Sequence, residues 1–273
     1  MGVVLCFIYF ANDIRHVVFM SHSKLVTDLE RRAAAVRPAG RNSGTQKWQN
    51  LLFLHWEVPF ESVRQLVPPE LEIDTFDGRC FVGLVPFRMR EIRPAWLPRQ
   101  LAFNFFETNV RTYVHYRGRP GVYFFSLDAN SRLAVWAARL GWSLPYFYAT
   151  MNGTGPTSEP ATSQFNRWTY SCDRRGLKSH VDFQAPTALA TATVGTLEYF
   201  LLERYYLFVQ RKKQIYVGQV HHEPYPFATA ELGECRDQLI AAAGFPTQGQ
   251  APSLVHYSPG VDVEVFAIKR PVP

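Results

Sequence analysis

The chain has 273 residues, 47% of them hydrophobic and 15% aromatic, with a net charge of +6 from 29 basic and 23 acidic side chains. That much apolar material excludes a disordered chain, and basic residues scattered without a basic helix or tail give no nucleic-acid-binding module. The four cysteines, Cys6, Cys80, Cys172 and Cys235, have no paired spacing, so no disulfide framework is expected and the reducing cytoplasm is the expected location.

Residues 1–46 read as a poorly ordered N-terminal extension. Val3–Ala11 is apolar but ends at Asn12, Asp13 and Arg15, too short for the roughly 20 residues that span a bilayer. It also lacks the basic start and cleavage site of a secretion signal. Met20 opens a polar run, Ser21–Lys24. The expectation is that translation starts there and that residues 1–19 are a mis-assigned start. Val26–Thr45 reads as a basic, loosely attached lead. A single domain is expected over residues 47–270.

Strand signals then dominate. Trp48–Val58 is an apolar run, Phe60–Val67 a short helix closed by Pro68-Pro69. Leu71–Phe76 and Cys80–Met89 are predicted strands joined at Asp77-Gly78, a hairpin signal. Phe105–Tyr116 and Val122–Leu127 follow, linked through Gly118–Gly121. A helix capped by Asn130 or Ser131 is predicted with a stripe of Leu133, Trp136, Ala137 and Leu140, ending at Gly141. Pro145–Met151 reads as a strand and Asn152–Thr162 as a mobile loop. Strands are predicted at Phe165–Cys172 and Leu177–Gln184, then a helix at Leu197–Glu203 capped by Thr196. Strands Tyr205–Gln210 and Gln214–His221 flank a basic turn at Arg211–Lys213. A helix near Cys235–Ala243 and strands at Leu254–Ser258 and Val261–Ile268 close the chain. The sum is one α+β domain, mostly antiparallel β, with a large sheet curling into a barrel or cone.

In Phe105–Tyr116, alternation puts Glu107, Asn109, Arg111, Tyr113 and His115 on one face, and Phe106, Thr108, Val110, Thr112 and Val114 on the other. The pattern alone fits a solvated outer face. It also fits the wall of a pocket for a small polar or anionic ligand. Glu107 and Arg111 lie about 13 Å apart along such a strand, too far to pair but placed to bracket a ligand. His55, His221, His222 and His256 have no metal-ligand spacing, so no metal site and no cofactor are expected. No Gly-x-Ser-x-Gly elbow or phosphate-cradling loop is present.

Several runs carry a family resemblance: L-V-P-P-E-L-E-I-D at Leu66–Asp74, T-F-D-G-R-C-F-V-G-L-V-P-F-R-M-R to Arg90, E-T-N-V-R-T-Y-V at Glu107–Val114 and R-P-G-V-Y-F-F-S-L-D at Arg119–Asp128. Leu197–Tyr205 and Val255–Ser258 agree. Over residues 47–269 the chain closely resembles the DUF2071 family, the YqjF-like uncharacterised bacterial proteins, within the acetoacetate decarboxylase-like superfamily. The resemblance implies a cone-shaped β-barrel around a closed cavity. In the decarboxylases a lysine forms a Schiff base and a neighbouring lysine lowers its pKa. The corresponding place here reads Pro145-Tyr146-Phe147, so that chemistry is disfavoured. The decarboxylase pocket glutamate falls on Glu107, whereas the decarboxylase arginine falls near Gln49 and is not kept.

The expected site therefore has Glu107 as acid or base, Tyr146 as proton donor and Arg111 as carboxylate anchor, with Asn109, Tyr113, Arg88 and His55 as further ligand-binding candidates. The expected partner is a small carbonyl or carboxylate compound, with no nucleic acid and no membrane. The alternatives are a non-enzymatic small-ligand-binding protein and a fold kept for interaction or structure. Whether the protein is an enzyme is left open by the sequence, as is its oligomeric state.

Overall fold

The computed structural model describes residues 25–136, 144–155, 165–247 and 249–271. The expected start at Met20 and most of the loop expected over 152–162 lie outside these residues, although Asn152–Thr154 belong to a strand. Among the described residues there are fifteen strands. The first half holds β1 (Gly44–Val58), β2 (Glu72–Ile73), β3 (Cys80–Pro94), β4 (Phe103–Tyr116), β5 (Arg119–Ala129), β6 (Tyr146–Tyr148) and β7 (Thr150–Thr154). The second half holds β8 (Phe165–Arg174), β9 (Leu177–Pro186), β10 (Ala190–Thr191), β11 (Tyr206–Arg211), β12 (Gln214–His221), β13 (Pro226–Thr229), β14 (Glu231–Asp237) and β15 (Leu254–Val265).

Eleven strands form one sheet along the path β1-β3-β4-β5-β11-β12-β15-β13-β10, with β2 on β4 and β6 on β5. β15 also pairs with β1 over Gly44–His55, so the pairing returns to its first strand. Among the described strands only the β5–β11 and β5–β6 pairs are parallel. The remaining strands form a second sheet, β14-β9-β8-β7.

This arrangement buries both faces of β1, β3 and β4. Leu52, Leu54, Val82, Leu84, Val110 and Val114 pack toward Tyr170, Val181 and Phe183 of the small sheet. Leu51, Phe53, Val85, Phe87, Leu127 and Ala129 form a separate core on the inner face of the large sheet, with Leu202 and Val209. Of the two readings of the polar β4 face, a solvated surface or a pocket wall, the solvated one is excluded: Glu107, Asn109, Arg111, Tyr113 and His115 are all buried.

Local chemistry explains most element boundaries. The Asp77-Gly78 turn forms, with both residues at positive φ and a bridge between Phe76 and Arg79. Beyond it β2 pairs with β4 rather than β3. Helix α1 (Asp28–Ala35) has a Thr27–Glu30 capping box, worth about 1 kcal/mol. The expected loose lead is anchored here, because Arg31 makes two bonds of 2.9 and 2.8 Å to the buried carboxylate of Asp74. Helix α2 spans Phe60–Arg64. In the next helix, α3, residues 132–136 are described. Ser131 caps it, but Ala134 and Val135 are its buried side, whereas Leu133 and Trp136 are exposed. Leu133 and Trp136 of the predicted stripe thus face outward, and its Ala137, Leu140 and terminating Gly141 lie outside the described residues. Thr196 caps α4 (Leu197–Leu202) as expected. The helix expected from Cys235 shrinks to α5 (Leu239–Ala242). Cys235 sits in β14, because pairing with β9 captures that segment. Among the described residues no helix is long and apolar enough to cross a membrane.

Candidate active site on the inner face of the large sheet

Register determines which side chains meet. Across β3, β4 and β5, Phe87, Glu107 and Ala129 stand opposite one another, as do Val85, Asn109 and Leu127. Directly opposed residues share a face, so Glu107, Asn109 and Arg111 project into the inner apolar core. β6 lies beside β5 and turns Tyr146 inward. The Tyr146 hydroxyl donates to Glu107 Oε2 at 2.7 Å, with both groups buried. Burial pushes the Glu107 carboxyl up to about 7, although hydrogen bonds from Tyr146 and Asn109 act against the shift. Burial, and then the Glu107 charge, raise the Tyr146 phenol well above its ordinary value. The phenol therefore keeps its proton and acts as a hydrogen-bond donor to Glu107, whose proton affinity burial brings toward neutrality.

Arg111 lies further along the same face, with Nη2 donating to the carbonyl of Leu201 at 3.2 Å. Its guanidinium stands 5.4 Å from the Phe53 ring. No described carboxylate pairs with it, and its buried Nε has no partner. The Tyr113 hydroxyl donates to the same carbonyl at 3.0 Å and lies 2.6 Å from His55 Nε2. Gly83 makes this packing possible, because a Cβ there would sit 3.2 Å from the His55 ring and 3.7 Å from Arg111 Cγ. Burial, then the Arg111 charge, lower the His55 pKa well below its ordinary value, so the ring is neutral.

Arg88 does not join this group. It stands opposite Phe106 in the β3–β4 register, and its guanidinium lies over that ring at 4.9 Å, on the other face of the sheet. The strand alternation that places Phe87 inside sends Arg88 out. The structure also adds residues that sequence reasoning set aside. The buried His222 stacks on Tyr205 at 4.6 Å and lies tilted against Tyr225 at 4.5 Å. Burial lowers its pKa to about 4, with Arg111 adding to the effect. His256 lies 6.4 Å from His55, ring to ring. Neither has metal-ligand spacing, and among the described residues no group of three or more metal-ligating side chains comes together. The signal available in the sequence was His256's even spacing from Leu254 and Ser258 in one strand.

His55 Nδ1, Asn109 Oδ1, Arg111 Nε, His222 Nε2 and His256 Nδ1 are all buried without a hydrogen-bond partner. A buried polar atom left unmade costs about 1–3 kcal/mol. These five atoms gather around Arg111, whose charge no described carboxylate matches. The described lysines are elsewhere: Lys47 pairs with Glu91 at 3.1 Å, and Lys178, Lys212, Lys213 and Lys269 are exposed. Of Tyr146 and Phe147, Tyr146 reaches the site. Phe147 is partly exposed, under Arg174 at 4.6 Å.

The fold is that of the acetoacetate decarboxylase-like proteins. It matches the enduracididine biosynthesis enzyme MppR, solved in complex with pyruvate, with a TM-score of 0.59 at 11% identity over 85% of this chain and 91% of that one. It matches an acetoacetate decarboxylase-like enzyme from Sphingomonas wittichii with a TM-score of 0.55 at 12% identity, over 86% of this chain and 96% of that one. Within that fold the chain belongs to the DUF2071 family, described as an uncharacterized conserved protein, whose model matches residues 45–262. It is 35% identical to the uncharacterized protein YqjF of Bacillus subtilis over 226 residues, 82% of this chain and 91% of that protein.

Proposed function

We propose that the β1–β15 pairing closes the large sheet as a cone-shaped barrel, and that its inner face binds a small carbonyl or carboxylate compound for acid/base chemistry without a Schiff base. The observation that carries this reading is the buried Tyr146–Glu107 hydrogen bond on the same strand face as an unpaired Arg111. Arg111 anchors a carboxylate. Glu107, poised near neutrality, removes and returns a proton at the carbon beside a carbonyl. The Tyr146 hydroxyl donates to the oxygen that gains charge. Asn109 holds Glu107 in place and offers its free Oδ1 to a ligand donor. The thiols of Cys80, Cys172 and Cys235 are free, in keeping with a cytoplasmic setting.

The test is proton exchange. Acetoacetate and other small oxo acids are incubated with the protein in D2O, and loss of their carbon-bound protons is followed by NMR. Exchange is expected for at least one of them, slowed a hundredfold or more in Glu107→Gln. Borohydride is expected to trap no covalent adduct. A trapped lysine adduct, or exchange unchanged in Glu107→Gln, would refute the reading.

A further inference from the structure

We propose that the cleft between the β11–β12 turn and the C-terminal arm binds a small molecule carrying phosphate. The cleft has a volume of about 440 Å³ and is lined by Arg211, Lys212, Gln214, Tyr216 and Arg270. Its lining holds three cations and no acid. The Tyr216 ring is the fixed point of the cleft. Arg211 lies over it at 5.0 Å and Arg270 at 5.7 Å, and Arg270 Nε donates to its hydroxyl at 3.2 Å. A bridge between Val217 and Lys269 holds the C-terminal arm against β12 and brings Arg270 to this position. Two more cations, Lys213 and Lys269, adjoin the lining in sequence. Among the described residues, Lys212, Lys213, Lys269 and Arg270 have no carboxylate within ion-pair distance.

The turn itself supplies an independent observation. Two-residue hairpin turns place both central residues at positive φ and favour glycine there. Asp77-Gly78, Arg117-Gly118 and Arg175-Gly176 follow the rule, each with glycine second. The fourth such turn is Lys212-Lys213, at φ 45° and 61°. Two side chains that fit this backbone poorly are kept at the one turn that borders the cationic cleft, a pattern of local strain held at a functional position.

The charge and geometry select the ligand. A monocarboxylate neutralises one cation, whereas Lys212 and Arg270, with Lys213 and Lys269 beside them, leave more than one positive charge to be met at this cleft. Planar guanidinium donors suit the tetrahedral oxygens of a phosphate. The ligand is a phosphate ester or pyrophosphate group of a small molecule free in solution.

The test is calorimetric titration of the full-length protein with sodium pyrophosphate at fixed ionic strength, with three variants. Saturable binding is expected. Arg270→Gln is expected to weaken it at least tenfold. Lys212→Asn combined with Lys213→Gly is expected to weaken it similarly while raising the melting temperature, because that pair suits the turn. Lys178→Gln, on the small sheet, is expected to change affinity less than twofold. Absence of saturable binding, an equal loss in Lys178→Gln, or unchanged affinity in the turn variant would each overturn the proposal. So would binding to phosphatidic acid vesicles without binding to pyrophosphate, which would make the cleft a membrane contact.

Discussion

Asp74 and Glu107 are both carboxylates buried on the large sheet, and their surroundings differ in one respect. Asp74 lies between two arginines, with Arg31 of α1 on one side and Arg204 Nη1 at 2.5 Å on the other. Burial pushes its carboxyl up, but the two cations overcome that and hold it below its ordinary value. Glu107 has no cation beside it, only a phenol and an amide, and burial pushes it to about 7. The arginines divide in the same way. Arg204 has Asp74 as a counter-charge, and Arg111 has none among the described residues. One region satisfies its charges internally and joins α1, the sheet and α4. The other leaves both a cation and a proton-sharing acid open. Matched buried charge ties elements together, and the unmatched pair is where the proposed chemistry is placed.

The largest effect should come from unbalancing the matched region. Asp74→Asn leaves Arg204 buried without a counter-charge and is expected to cost about 3–5 kcal/mol in urea unfolding. A loss below about 1 kcal/mol would mean that the triad contributes little. The second effect has the opposite sign. The native Glu107 pKa, about 7, lies above its ordinary 4.5. Between those values the folded protein holds a proton that the unfolded chain has released. Stability from this group is therefore intact at low pH, falls as pH rises from 4.5 to about 7, and stays lower by roughly 3 kcal/mol beyond that. Glu107→Gln removes the dependence. It is expected to match the wild type at pH 4 and to exceed it at pH 8, and unfolding midpoints at the two values test this. Asp74, whose pKa is lowered, follows the reverse rule and loses its contribution as pH falls.

The smallest effect is that of Tyr146→Phe. Its hydroxyl holds the Glu107 pKa down, so the variant is expected to titrate Glu107 above the wild-type midpoint with little change in stability. Carboxyl-detected NMR measures this, and a downward shift would contradict the hydrogen-bond assignment.

Much of this was legible in the sequence because alternation in a strand is geometric. The shared face of Glu107, Asn109, Arg111 and Tyr113 followed from spacing, and the runs around them identified the family. The direction of that face did not follow, since both β4 faces are buried and the polar one resembles a wet surface. Arg88 was misplaced because its face depends on the β3–β4 register, which is a tertiary property. His222 and His256 were weighed only as metal ligands. Their role as open hydrogen-bonding groups depends on β12 and β15 curving toward β1. The anchoring of α1 through Arg31 was equally hidden, because its partner Asp74 lies 43 positions away.

The most direct measurement pairs binding with stability at Arg111. Wild type and Arg111→Met are titrated calorimetrically with a panel of small oxo and hydroxy monocarboxylates, and both are unfolded in urea. The expected result is saturable binding of at least one carboxylate by the wild type, its loss in Arg111→Met, and a variant as stable as the wild type to within about 1 kcal/mol. No carboxylate binding, unchanged binding in the variant, or a loss of about 3 kcal/mol or more would show that Arg111 is a structural cation and would contradict the account.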